Sequence, residues 1–76
     1  MARESKPENI IWASWRVEED GRVEVSATFK TAEGEYRQWP ASYASLEEAA
    51  AELGPGFGDV VARAVEAGST HGRWRP

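Results

Sequence analysis

The sequence predicts an α+β fold, a three-stranded antiparallel meander followed by two short helices packed on one face, in the order β-β-β-α-α. Three observations lead there. Apolar residues alternate at period two through the first half of the chain, Gly21 and Gly34 stand where hairpin loops need them, and from Ser45 onward the apolar period becomes helical.

The first strand begins at Ile10. Ile11, Ala13, Trp15 and Val17 share one parity, and Trp12, Ser14, Arg16 and Glu18 share the other, as in a half-buried strand. Val23, Val25, Ala27 and Phe29 repeat the pattern, with Glu24, Ser26, Thr28 and Lys30 opposite. A two-residue loop at Asp20-Gly21 would set Val17 against Glu24 and mix the faces. A three-residue loop, Glu19-Asp20-Gly21, places Gly21 at the left-handed position. It pairs Val17 with Val23, Trp15 with Val25, Ala13 with Ala27 and Ile11 with Phe29, and on the other face Arg16 with Glu24. The three-residue loop is therefore expected.

Ala32-Glu33-Gly34 has the same form. It pairs Ala27 with Trp39, Thr28 with Gln38 and Lys30 with Tyr36, and leaves Arg37 beside Phe29, from where it must reach outward to water. The third strand, Tyr36-Arg37-Gln38-Trp39, is expected to stop at Pro40, which lacks a ladder donor.

Ser45-Leu46-Glu47-Glu48 reads as a capping box opening the first helix, and Leu46, Ala49, Ala50 and Leu53 follow as its buried stripe. Gly54 and Pro55 end it. A second helix is expected from Gly58-Asp59, capped by Asp59, burying Val60, Val61, Ala64 and Val65 and ending at Gly68. Phe57 is read as an anchor in the connection between the helices. The predicted organisation is a mobile N-terminal tail at 1–9, one domain at 10–68 and a C-terminal tail at 69–76.

Composition narrows the function classes. The chain has 76 residues, 41% of them hydrophobic and 29% charged, with no cysteine. One small domain is the most such a length holds, and neither disulfides nor thiolate zinc sites can support it. No apolar run reaches the ~20 residues of a membrane span, and the N-terminal residues lack the apolar segment of a signal peptide. A cytoplasmic location is expected. Of nine basic residues only two are lysine, which suggests a GC-rich bacterial genome. The formal charge of −4 disfavours a general electrostatic footprint for nucleic acid and leaves room for a local basic patch.

Catalytic chemistry finds little footing. His71, the single histidine, lies in the expected tail, and its adjacency to Ser69 and Thr70 supplies none of the convergence a triad requires. Glu47, Glu48 and Glu52 read as a solvated acidic helix face, with no histidine converging on them to complete a metal site. Gly54-Pro55-Gly56-Phe57-Gly58-Asp59 resembles a phosphate loop only in glycine content. It lacks the preceding strand and following lysine, and Asp59 would repel the anion. The expectation is no enzyme, no cofactor, no metal and no small-molecule substrate.

Tryptophan carries more information. Trp15 and Trp39 fall on the parity facing the helices, which makes them core. Trp12 falls on the open face in one row with Thr28 and Gln38, near Arg16, Lys30 and Tyr36. That face is either a solvated surface or a binding surface for a peptide, a nucleic-acid groove or a second subunit. Trp74, between Arg73 and Arg75, either folds back on the core or makes a stacking and phosphate-pairing unit.

Three strands followed by a helix resembles, in layout, the plant ethylene-response type of DNA-binding domain and the arm-binding domains of tyrosine recombinases. Those families place basic residues of the open sheet in the DNA major groove. Here Arg16, Arg22 and Lys30 stand on that face, and Glu18 and Glu24 neutralise two of them. The resemblance is one of layout, which does not settle function. The expectation is a small non-catalytic protein-binding or regulatory module, able to form a homodimer, that uses Trp12, Arg16, Thr28, Lys30, Tyr36, Gln38, Arg73, Trp74 and Arg75. The alternative is a DNA- or RNA-binding domain using the same sheet face and the basic C-terminal residues.

Overall fold

The computed structural model describes residues 5–76. In chain order the elements are β1 (Ile10–Val17), β2 (Val23–Lys30), β3 (Tyr36–Tyr43), α1 (Leu46–Leu53), α2 (Pro55–Glu66) and β4 (His71–Trp74). The strands form one antiparallel sheet in the order β3-β2-β1-β4. Both helices lie on one face, so the α+β meander with two helices holds, and a fourth strand is added to it.

Both hairpin turns take the three-residue form. Glu18 N donates to Arg22 O at 2.8 Å around the first, and Thr31 N to Glu35 O at 2.8 Å around the second. Gly21 and Gly34 have φ of 92° and 86°, the left-handed region that a Cβ disfavours. The register follows: Val17 faces Val23, Trp15 faces Val25, Ala27 faces Trp39 and Lys30 faces Tyr36.

One pairing differs. Ile10, rather than Ile11, stands opposite Phe29, and Trp12 opposite Thr28, so Ile11 is the extra residue of a bulge. The bulge turns the strand end so that Ile10 packs against the core and Ile11 is exposed. Of the tail expected at 1–9, residues 1–4 lie outside the described residues. Residues 5–9 run without regular structure beside the domain. Asn9 O accepts from Lys30 N at 3.3 Å, and Lys6 Nζ donates to Glu52 O at 3.1 Å.

The third strand does not stop at Pro40 but runs on to Tyr43. The ladder explains how. Thr31 and Glu35 are a bonded pair, so alternation makes Ser26–Pro40 a non-bonded pair in which the backbone groups of Pro40 point away from β2. Because β3 is an edge strand, the missing N–H of Pro40 costs no ladder bond. The extension carries Ala41 and Tyr43 into the core.

Ser45 caps α1, its Oγ accepting from Glu48 N at 3.2 Å, while Glu48 Oε2 accepts from Ala44 N at 2.9 Å. The second helix begins at Pro55, three residues before the expected Gly58, and is capped by Gly54 rather than Asp59. Pro55 stops α1 and opens α2, since its fixed φ and missing N–H suit a first helical turn. The earlier start places Phe57 in the helix and makes Phe57, Val61 and Ala64 the inward stripe at i, i+4 and i+7. Val60 and Val65, expected to be buried, are instead exposed.

The core lies between the sheet and the helices. Ala13, Trp15, Val23, Val25, Ala27, Trp39, Ala41 and Tyr43 meet Ala49, Leu53, Phe57 and Val61 there. Burying a side chain as large as Phe57 contributes about 1.5–3 kcal/mol. Tyr43 keeps its hydroxyl satisfied by donating to Glu52 Oε1 at 2.6 Å.

The largest departure from expectation is the C-terminal segment. Within the tail expected at 69–76, His71–Trp74 forms β4 on the free edge of β1, with Ser14 opposite Arg73 and Trp15 opposite Gly72. Val17 N donates to Thr70 O at 2.8 Å and starts the pairing. Trp74 turns to the helix side, where its ring meets Phe57 edge-on at 5.2 Å.

Candidate functional site

The helices cover one face of the sheet and leave the other open. Antiparallel register arranges that open face in rows. Lys30 and Tyr36 make the first. Gln38, Thr28 and Trp12 make the second, and Pro40, Ser26, Ser14 and Arg73 the third. Ser42, Glu24, Arg16 and His71 make the fourth. Arg75 follows directly on β4 and lines one cleft of about 320 Å³ with Trp12, Arg73 and Trp74.

Among the described residues two aromatic–cation pairs stand on this face. The Arg73 guanidinium carbon lies 4.9 Å from the Trp12 ring centroid, and Lys30 Nζ lies 5.7 Å from that of Tyr36. Tyr36 is 65% exposed. Between the pairs runs a polar network. Ser26 Oγ donates to Gln38 Oε1 at 3.0 Å, and Gln38 Nε2 donates to Thr28 Oγ1 at 2.9 Å, which satisfies the buried Thr28 hydroxyl.

Charge is unevenly placed. The first three rows contain no carboxylate side chain. Among the described residues, no carboxylate pairs with Lys30, Arg73 or Arg75; the ion pairs engage Arg16 with Glu18 at 3.2 Å, Arg22 with Glu24 at 3.8 Å and Arg37 with Glu35 at 2.9 Å. Acid gathers at the sheet's two turn ends, Glu19-Asp20 and Glu33, and on the helix layer at Glu47, Glu48 and Glu52.

Six of the nine residues named from the sequence meet on one half of the open face: Trp12, Thr28, Lys30, Tyr36, Gln38 and Arg73. Arg75 joins them at the margin. Arg16 stands apart in the fourth row, held by Glu18. Trp74 belongs to the other layer, because alternation along β4 sends it to the core side while Arg73 faces outward. The Arg73-Trp74-Arg75 stacking unit is therefore split between faces. Ser14, Ser26 and His71 also line the open face, around a basin of about 400 Å³. The parity of Ser14 and Ser26 signals this in the sequence, whereas His71 gains its place only through β4.

Among the described residues no cluster of three or more His, Cys, Asp or Glu side chains is placed to hold a metal ion, and no helix is long and apolar enough to cross a membrane. Comparison with models of known families, with curated proteins and with solved structures gives no match.

Proposed function

We propose that the protein is a small non-catalytic binding module, of protein-binding or regulatory type, whose recognition surface is the open face of the sheet. The observation that carries this reading is the half-face holding Trp12–Arg73 and Lys30–Tyr36 around the Thr28–Gln38 network. Aromatic and arginine side chains there are the types enriched at the centres of interfaces. Affinity capture with the wild-type chain, with the double variant Tyr36→Glu/Arg73→Glu and with Arg63→Glu tests it. Arg63 is exposed on α2, in the helix layer. The expected result is a protein partner kept by Arg63→Glu and lost by the double variant. Equal retention by all three sinks the reading. The homodimeric form is tested by sedimentation across protein concentration, with association weakened in Trp12→Ala.

A second reading is nucleic-acid binding by the same face with Arg73 and Arg75, favoured by Lys30, Arg73 and Arg75, which no carboxylate among the described residues pairs with. Its test is a gel shift at low salt with duplex and single-stranded DNA and RNA. Binding that weakens in Arg73→Glu supports it, and no shift ends it.

A further inference from the structure

We infer that the occupant of this face is a short acidic segment of a partner protein, a peptide bearing two or three carboxylates that crosses the strands between Tyr36 and Arg75. The inference rests on the open-face reading above and adds the chemistry of the partner. Charge complementarity carries it. In a chain of net charge −4, Lys30, Arg73 and Arg75 have no carboxylate partner among the described residues and stand on three adjoining rows that contain no acid. Elsewhere on the sheet Arg16, Arg22 and Arg37 each have a carboxylate neighbour. The exception is therefore local to the Trp12 half of the face.

Extent favours a short segment. Four strands at ~4.8 Å and three rows at ~6.8 Å give a patch roughly 20 Å on a side. A second copy burying the ~800 Å² of accessible surface typical of each side of a standard interface would reach past these rows to Glu24 of the fourth row and the acidic turns, which disfavours it as occupant. The flanks disfavour a long polyanion. Glu33, in the turn, stands beyond the first row, and Glu24, Glu18, Glu19 and Asp20 bound the patch beyond the third. A nucleic-acid strand running along the sheet would meet carboxylates at both ends. A peptide of a few residues laid across the strands meets only the cations, with Ser14, Ser26 and Gln38 beneath it as hydrogen-bond partners and the Trp12 and Tyr36 rings at its sides.

Fluorescence anisotropy on the full chain tests the inference with three labelled probes: a C-terminally amidated peptide of three Glu-Thr repeats, its Gln-Thr analogue, and an oligothymidylate eight nucleotides long. The expected result is saturable binding of the acidic peptide at low salt, none of the neutral one, and weakening as salt shortens the screening length to ~8 Å. Arg73→Glu and the double variant Lys30→Glu/Arg75→Glu are each expected to weaken binding roughly tenfold. Arg63→Glu changes the net charge as much as Arg73→Glu does and is expected to leave binding intact. Circular dichroism on each variant confirms that it is folded, and the exposed Lys30 and Arg75 provide a test independent of β4. Equal loss in Arg63→Glu overturns the inference, because only net charge would then matter. Tighter binding of the oligothymidylate through Arg73 overturns it in favour of nucleic acid, and a dimer dissociated by Arg73→Glu overturns it in favour of a second copy. Absence of peptide binding overturns it while face-dependent capture of a protein, if found, keeps the broader reading alive.

Discussion

Gly72 lies directly against the indole of Trp15: a Cβ built on Gly72 would stand 2.8 Å from Trp15 Cζ2. The two residues are cross-strand partners, and the ring occupies the space a side chain at 72 would need. A side chain at position 72 would therefore force the Trp15 ring or β4 to shift. Trp15 is itself 3% exposed and packed into the core, so the ring has little freedom to retreat.

Gly72→Ala should consequently destabilise the domain by about 1–3 kcal/mol, as overpacking of a filled site does. Urea unfolding gives the value, and hydrogen exchange at Val17, whose amide is bonded to Thr70, reports whether β4 has lifted. An unchanged midpoint with Val17 still protected would refute the steric argument.

Phe57 and Trp74 join β4 to the helix layer through their edge-to-face contact. A double-mutant cycle with Phe57→Leu and Trp74→Leu should return a coupling of about 0.5–1.5 kcal/mol. Additive losses would show that the two rings act independently.

The turns make a backbone prediction. Gly21 has φ of 92° with no atom within 4 Å of a Cβ built there, so the cost of a side chain is conformational and not steric. Gly21→Ala should lose about 1–2 kcal/mol, and Gly21→Asn less, because asparagine tolerates the left-handed region better. Thermal unfolding of the two variants decides, and equal losses would contradict the assignment.

Ser45→Ala should cost about 1 kcal/mol by removing the acceptor for Glu48 N at the start of α1. Ser45→Asp should recover most of it. Chemical unfolding of both variants measures the difference.

Much of the sheet was legible from the chain alone because parity and turn chemistry are local. Placing Trp15 opposite Val25 needed only the alternation of apolar residues and a glycine with φ > 0 at the third loop position. The bulge at Ile11 was not legible, since both Ile10 and Ile11 suit a core position and only packing chooses between them. The start of α2 was signalled by Pro55 but masked, because the same proline also ends α1. Trp12, Thr28, Lys30, Tyr36 and Gln38 reached the open face as their parity implied. Arg73 joined them, and Trp74 left them, for a reason absent from the tail's composition.

By itself, then, the sequence determined the meander, its register apart from the bulge at Ile11, and the polar row at the centre of the candidate surface, because each depends on alternation and on turns between strands adjacent in the chain. Only the tertiary structure decided what the last residues do. A segment of four residues holding a glycine has too little local preference to be a strand, and it becomes one when α2 returns the chain beside the unpaired edge of β1 and Trp15 fills the space above Gly72. That pairing sends Trp74 to the core and leaves Arg73 facing outward over Trp12.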